Sequence, residues 1–99
     1  MPNQQTIIQE LRQQLPRLKK QYPIALIGLF GSYSRNEQTD DSDIDILYQT
    51  LPNCSLSLQN YLDLITDLQS ITHKNIDLVN VKYINPVVWM EAQKDIIYV

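Results

Sequence analysis

The 99-residue sequence has one cysteine, two glycines, one tryptophan and one phenylalanine, and it has no long apolar run. Because Cys54 is alone, an intrachain disulfide cannot form, which favours a reducing compartment. A membrane-spanning helix needs about 18 or more consecutive apolar residues, and residues 1–5 lack the basic-then-apolar pattern of a secretion signal. These absences predict a cytoplasmic protein that does not enter a membrane.

Positive charge is also scarce. Eight Lys and Arg residues stand against eleven Asp and Glu, so the formal net charge is −3. Proteins that bind nucleic acid or anionic membranes by electrostatic attraction need clustered Lys and Arg, and we therefore expect no direct nucleic-acid binding. Much of the acidity lies in the run from Asp40 to Asp45, whose side chains repel one another unless a cation lies among them.

The length allows one small domain, residues 1–99, with room for a catalytic core. A separate substrate-recognition domain does not fit. We therefore expect a partner chain to supply part of the recognition or part of the stability.

Apolar periodicity predicts alternating helices and strands. Helical spacing predicts three helices, over residues 7–18, 58–68 and 86–94. Apolar or alternating runs predict strands over residues 24–30, 43–48 and 76–81, with a terminal strand over 96–99. This order predicts an α/β fold, a small mixed sheet with flanking helices.

Two local signals qualify these predicted elements. Pro16 lies inside the first helical pattern and is expected to kink or shorten that helix. Either Ser55 or Ser57 can cap the second helix. Residues 31–36 form a small-residue turn that could open a further helix.

The carboxylates of Asp43, Asp45 and Asp77 are the main candidates for chemistry. Residues two apart on a strand point to the same face, so Asp43 and Asp45 would repel each other and lose hydration. A divalent cation such as Mg²⁺ removes that penalty, because it takes carboxylate oxygens as ligands. Asp77 interrupts an otherwise apolar strand and can reach the same ions if that strand lies beside the second.

Each of these acidic signals also has a structural interpretation. Asp-x-Asp pairs are common in solvated loops, and Asp77 could be an edge-strand charge that discourages aggregation. The Gly31-Ser32 turn after a buried strand adds a different signal, since Gly lets backbone N–H groups approach a phosphate and a following helix N-terminus would favour it. The alternative there is an ordinary strand-to-helix turn.

Gly31-Ser32, ten intervening residues and Asp43-Ile44-Asp45 together resemble the signature of the DNA-polymerase-β-like nucleotidyltransferases. The stretches 31–35 and 42–47 look like the minimal nucleotidyltransferases, the MntA-type antitoxins of prokaryotic HEPN/MNT toxin–antitoxin pairs. Residues 76–79 resemble the strand that carries the third carboxylate of that family. The resemblance covers essentially the whole chain. One departure is Asn36, where many relatives carry Gly.

The resemblance implies roles for six residues. Asp43, Asp45 and Asp77 would be catalytic and would bind two Mg²⁺ ions, with Asp77 near the attacking hydroxyl. Gly31 and Ser32 would hold the β- and γ-phosphates of ATP. Arg35 would contact phosphate or a partner, or else remain a solvated surface charge.

The function implied by the resemblance is that of an antitoxin enzyme. Such a protein adenylyltransferase moves AMP from ATP to a tyrosine of a cognate HEPN ribonuclease toxin, releases pyrophosphate and silences the toxin. A non-catalytic antitoxin that inhibits by binding alone is the alternative. An enzyme acting on a small molecule or a tRNA end would normally need an added substrate domain.

His73, Tyr33 and Tyr48 lie close in sequence to the predicted site or to a helix end. His73, the only histidine, falls at a predicted helix end, where it would interact with the helix dipole. Tyr33 and Tyr48 flank the predicted site, and either could contact the nucleotide base or belong to the core.

Overall fold

The fold, described for residues 3–99 by a computed structural model, consists of three α-helices and four β-strands. In chain order these are α1 (Gln4–Gln21), β1 (Ile24–Phe30), β2 (Ile44–Thr50), α2 (Leu58–Thr72), β3 (Ile76–Asn80), α3 (Pro86–Ala92) and β4 (Ile97–Tyr98), with a 3₁₀ turn at Val81–Tyr83. The α/β class is confirmed, and so is the order of the elements except at one place: β1 leads to β2 through a turn, without the further helix that residues 31–36 could have opened. The second strand begins at Ile44, so Asp43 lies one residue before it.

Helix α1 continues through Pro16 to Gln21, so the expectation that proline shortens it is wrong. Proline inside a helix costs roughly 3 kcal/mol, because it removes one hydrogen bond and crowds the preceding turn. Burial offsets this cost, since each large aliphatic side chain contributes about 1.5 to 3 kcal/mol when fully buried. The apolar face of α1 buries Ile7, Ile8, Leu11 and Leu18. Three of them have no exposed surface, Ile7 and Leu11 before the proline and Leu18 after it.

Helix α2 connects two parallel strands. Its N-cap is Ser57, whose Oγ accepts a hydrogen bond from the Asn60 N–H at 3.1 Å, so Ser57 and not Ser55 caps the helix. At the other end His73 adopts a left-handed conformation with φ 58° and closes the helix. A parallel strand pair needs a crossover of this kind, and α2 provides it between β2 and β3.

The sheet has the strand order β3-β2-β1-β4 and is mixed, as predicted. β1 pairs antiparallel with β2 and with β4, whereas β2 and β3 are parallel. Side chains alternate between the two faces of a strand, and Ile44, Ile46 and Tyr48 point into the core together with α1 and α2. Asp45 and Leu47 therefore point to the opposite face.

The opposite face of the sheet is only partly covered. Trp89 of α3 and Tyr98 of β4 line a recess of about 240 Å³ there with Leu26 and Leu47. Asp45 lies on this face near the amino end of β2, so its surroundings differ from the apolar core on the other side. Within residues 3–99 no helix has the length and apolarity needed to span a membrane.

Candidate active site

The parallel pairing of β2 and β3 brings Asp45 and Asp77 side by side. They are direct partners in the strand register, each the second residue of its strand. Register partners present their side chains on the same face of a sheet, and Asp77 is close enough to Asp45 to raise its pKa. Asp77 thus lies on the Asp45 face of the sheet.

Gly31 lies directly against Asp45. It has φ +73°, and a Cβ atom at this position would stand 2.9 Å from Asp45 Cγ and nearer still to Oδ2. Phe30, the residue before it, is the register partner of Asp45 in β1. The site therefore needs glycine here for two reasons, the left-handed backbone and the lack of space for any side chain.

The segment after β1 is a turn and not a helix, so the expected helix N-terminus beside Gly31 is wrong. Ser34 Oγ donates to the Gly31 carbonyl at 2.8 Å, and the Glu37 N–H donates to the Ser32 carbonyl at 2.8 Å. Asn36 has φ 58°, a conformation that ends a helical turn. Any phosphate binding here would use the turn backbone without a helix dipole.

The departure at Asn36 has a simple explanation in this geometry. The left-handed region is open to glycine and, among other residues, most readily to asparagine. Asn36 therefore adopts a turn conformation that glycine would also allow.

Among the described residues, Arg35 is the cation that changes the pKa of Asp45. Its guanidinium lowers the pKa of Asp45, although the opposing effects are larger. Arg35 Nε also donates to Glu37 Oε2 at 3.3 Å, and both side chains are well exposed. Such an exposed pair is weak, which leaves the guanidinium available to an anion at the Gly31 turn.

Burial and the neighbouring carboxylates raise the pKa of Asp45 from 3.8 to about 6. Burial is the largest cause, followed by the charge of Asp77, the hydrogen bond with Asp77 and the charge of Asp43. Negative charge therefore accumulates at Asp45, and a divalent cation would relieve it. The carboxylate oxygens are the donors that Mg²⁺ prefers.

Asp43 occupies a more open position than Asp45. It is exposed and lines a cleft of about 500 Å³ with Asp40, Asp41, His73 and other polar residues. Across residues 3–99, no group of three or more His, Cys, Asp or Glu side chains is arranged closely enough to hold a metal ion. Metal binding by Asp43, Asp45 and Asp77 therefore stays a prediction.

The proximity of the carboxylates makes the stability of the metal-free protein depend on pH. Folded Asp45 binds its proton more tightly than the unfolded chain does, so the free energy of unfolding falls as pH rises from about 4 to about 6. Asp45→Asn removes this cost. At pH 7.5 in EDTA we expect the free energy of unfolding of the variant to exceed that of the wild type by about 1 to 2 kcal/mol, a figure reduced to allow for screening by solvent. Its melting temperature should be about 5 °C or more higher.

At pH 4 the same two proteins should melt at nearly the same temperature. Asp41→Asn, which makes the same charge change at an exposed position, is the control and should show little pH-dependent gain. A lower melting temperature for Asp45→Asn at pH 7.5 would contradict the electrostatic account of this site.

Tyr33 and Tyr48 do not reach a bound base. Tyr33 has no exposed surface and Tyr48 is 5% exposed, and both pack in the core with the sheet and the helices. The suggestion that either contacts the nucleotide is therefore wrong. Each side chain lies on the covered side of the fold, where burial of its ring stabilises the core.

The residues of α3 near Gly31 are functional candidates that sequence reasoning missed. Val87, Val88, Glu91 and Asp95 line a cleft that also contains Gly31 and Arg35. The only local signal was a pair of valines at the start of a short helix, and that pattern does not distinguish a core contact from a cleft wall. Their position follows from the docking of α3 beside β1.

Comparison with known proteins places this geometry in a family. The family described as polymerase beta nucleotidyltransferases matches residues 12–98. A relative from Methanocaldococcus jannaschii that is named as a protein adenylyltransferase is 43% identical over 90 residues, which cover 90% of each chain.

Solved structures give the same assignment. A toxin–antitoxin crystal structure with AMP-PNP matches with a TM-score of 0.67 and 29% identity, over 98% of this chain and 72% of the other. A tri-AMPylated Shewanella oneidensis HEPN toxin in complex with an MNT antitoxin matches with a TM-score of 0.58 and 27% identity, over 97% and 67%.

The match to the family spans most of the chain and includes the Gly31 turn and both strands that carry Asp45 and Asp77. The chain therefore belongs to the polymerase beta nucleotidyltransferase family and is an enzyme of the nucleotidyltransferase class.

Proposed function

We propose that residues 1–99 act as a single minimal domain that transfers AMP from ATP, with Mg²⁺, to a tyrosine of a cognate HEPN ribonuclease toxin and so neutralises it. The observation that carries the proposal is the contact of the Asp45 carboxylate with Gly31, with Asp77 beside it in the strand register. The Gly31 turn and these two carboxylates therefore lie together at one end of β2, which supports the proposal.

Some of these residues bind the triphosphate, and others hold the ions that neutralise its charge. The backbone of Gly31 and Ser32 approaches the β- and γ-phosphates, and Arg35 contacts one of them after leaving Glu37. Mg²⁺ ions bound by Asp43, Asp45 and Asp77 would neutralise phosphate charge and lower the pKa of the attacking hydroxyl. The chain itself contributes positioning and electrostatic stabilisation, which supply most of the catalysis in phosphoryl and nucleotidyl transfer.

The transfer breaks one bond and forms one. The tyrosine oxygen attacks the α-phosphorus, the bond from the α-phosphorus to the bridging oxygen breaks, and pyrophosphate leaves. The proton of the hydroxyl passes to solvent or to Asp77, which lies at the open edge strand of the sheet. AMP remains on the toxin.

The toxin is the proposed substrate for two reasons. One matching structure holds a tri-AMPylated HEPN toxin in complex with an MNT antitoxin, and another is a toxin–antitoxin with AMP-PNP. Nothing beyond these comparisons selects adenine over other bases.

Sub-stoichiometric neutralisation tests the proposal. The chain is incubated with ATP, Mg²⁺ and a large excess of the HEPN protein encoded beside it, and the intact mass and ribonuclease activity of that protein are followed. We expect loss of ribonuclease activity with mass steps on the order of 330 Da, the mass of an AMP unit left by attack at the α-phosphorus. Omitting ATP or Mg²⁺ should prevent both changes.

The same experiment separates catalysis from inhibition by binding alone. An antitoxin that acts only by binding would neutralise the toxin at a one-to-one ratio, without ATP and without a mass change. That result, together with wild-type potency of the Asp43→Asn/Asp45→Asn variant, would overturn the enzymatic function.

A further inference from the structure

A cleft outside the carboxylate site lies between the Gly31 turn and α3. A cleft of about 470 Å³ opens there, with Phe30, Gly31 and Arg35 on one side. The other side consists of the valines and the acidic residues of the α3 region: Val87, Val88, Glu91 and Asp95, with Ala92 between them. The cleft is therefore continuous with the turn to which phosphate binding has been assigned.

The walls of the cleft next to α3 expose apolar surface. Val87 is 71% exposed and Val88 is 49% exposed, although both lie on a helix that packs beside the sheet. Neither side chain belongs to the buried core cluster or to the apolar residues packed against it. Apolar side chains in a concave site next to a phosphate turn fit the flat face of a nucleobase.

The positive and the negative side chains of the cleft belong to different segments, the Gly31 turn and the α3 region. Arg35, beside Gly31, is the cation of the lining, whereas Glu91 and Asp95 are its two carboxylates. Glu91 pairs with Lys94 at 3.4 Å, but both side chains are at least 65% exposed, so that pair is weak. Phosphate groups are attracted to the Arg35 end and repelled from the Glu91 and Asp95 end.

This polarity fixes the direction of a bound nucleotide. We propose that the α3 side of the cleft binds the nucleoside part of the nucleoside triphosphate, with Val87 and Val88 against the base. Glu91 and Asp95 accept hydrogen bonds from the ribose hydroxyls. The inference rests on the proposed nucleotidyl transfer and adds the residues that recognise the sugar and the base.

Equilibrium binding tests this assignment separately from catalysis. Titration calorimetry with Mg²⁺ measures the affinity of ATP, 2′-deoxy-ATP, 3′-deoxy-ATP and inorganic tripolyphosphate. For Glu91→Ala/Asp95→Ala we expect ATP affinity to fall roughly ten-fold, because hydrogen bonds to charged acceptors are lost. Tripolyphosphate affinity should stay the same or rise, because two repelling charges have been removed.

The proposed contacts with the ribose predict a second, independent result of the same measurements. Wild-type protein should bind ATP more tightly than at least one of the deoxy nucleotides, and the double variant should lose that preference. Val88→Ser should weaken ATP binding without changing tripolyphosphate binding. Met90→Ser is the matched control, since Met90 is 60% exposed on the same helix but does not line the cleft.

The outcomes distinguish this inference from the proposed function. If wild-type protein binds ATP and modifies the toxin while both cleft variants bind ATP normally, the nucleoside assignment is wrong and the transfer function stands. An equal loss of tripolyphosphate binding in the variants would also overturn it, because the damage would not be specific to the nucleoside. If wild-type protein binds neither ATP nor tripolyphosphate, the proposed function fails and the inference fails with it.

Discussion

Replacing Asp43 and Asp45 together by asparagine should abolish nucleotidyl transfer while the protein stays folded. Removing a single group that stabilises developing charge commonly costs a factor of about 10² to 10³ in rate, and here two carboxylates are lost from one site. Asparagine keeps the shape of aspartate, and the fold does not depend on the charges, since Asp43 is exposed and Asp45 already has a raised pKa. Transfer is followed by the mass of the toxin and folding by thermal melting.

A matched control keeps the same change in net charge. Asp40→Asn/Asp41→Asn lies in the same acidic run, and both residues are exposed. We expect this variant to transfer AMP at close to the wild-type rate. A Asp43→Asn/Asp45→Asn protein with more than a tenth of the wild-type rate, or with a large drop in melting temperature, would show that the pair has a different role.

Replacing Gly31 by alanine should reduce transfer by about 10²-fold or more, although only one methyl group is added. The new Cβ would occupy the space of the Asp45 carboxylate, so this side chain or the turn must move. The backbone at φ +73° adds roughly 1 to 2 kcal/mol of strain for any residue other than glycine. Transfer rate and ATP affinity are measured in parallel with thermal melting.

The second glycine of the chain supplies the control. A Cβ on Gly28 would stand 2.9 Å from Ile96 Cγ2 and 3.3 Å from the Tyr98 ring, and therefore against the β4 end of the sheet and not against Asp45. Gly28→Ala should lower the melting temperature but retain transfer at a temperature where the protein is folded. Wild-type transfer by Gly31→Ala would contradict the close contact between the turn and the carboxylate.

Local sequence signals predicted the elements of this fold well. The apolar run 24–30 corresponds to β1 with the same bounds, and the helical spacing predicted over residues 58–68 corresponds to α2. The prediction was wrong where the local preference of a residue and its burial in the folded chain favour different structures. Pro16 did not end α1, because the apolar face on both sides of it is buried against the sheet.

The turn after β1 shows a different limit of local signals. Small residues after a strand can open a helix or form a turn, and their composition does not decide between the two. Here Asn36 in the left-handed conformation stops the helical turn, and Gly31 is fixed by the space that Asp45 occupies. Both facts depend on atoms that are distant in sequence.

By itself the sequence determined which residue types could carry the chemistry. Asp43 and Asp45 are two residues apart, with Asp43 directly before β2 and Asp45 inside it, and the charge of Asp43 raises the pKa of Asp45. Gly31 and Ser32 follow a strand that its apolar composition identifies. Together with the order of helices and strands, these local features are sufficient for the family resemblance.

Only the tertiary structure decided how the site is assembled. The crossover helix α2 sets β3 parallel to β2 in the register that pairs Asp77 with Asp45, and no local pattern encodes that register. The docking of α3 beside Gly31 creates the cleft with its opposite charges at two ends. The physical reason is that strand register and helix docking are fixed by burial of apolar surface between segments far apart in the chain, whereas secondary structure follows largely from residues close together.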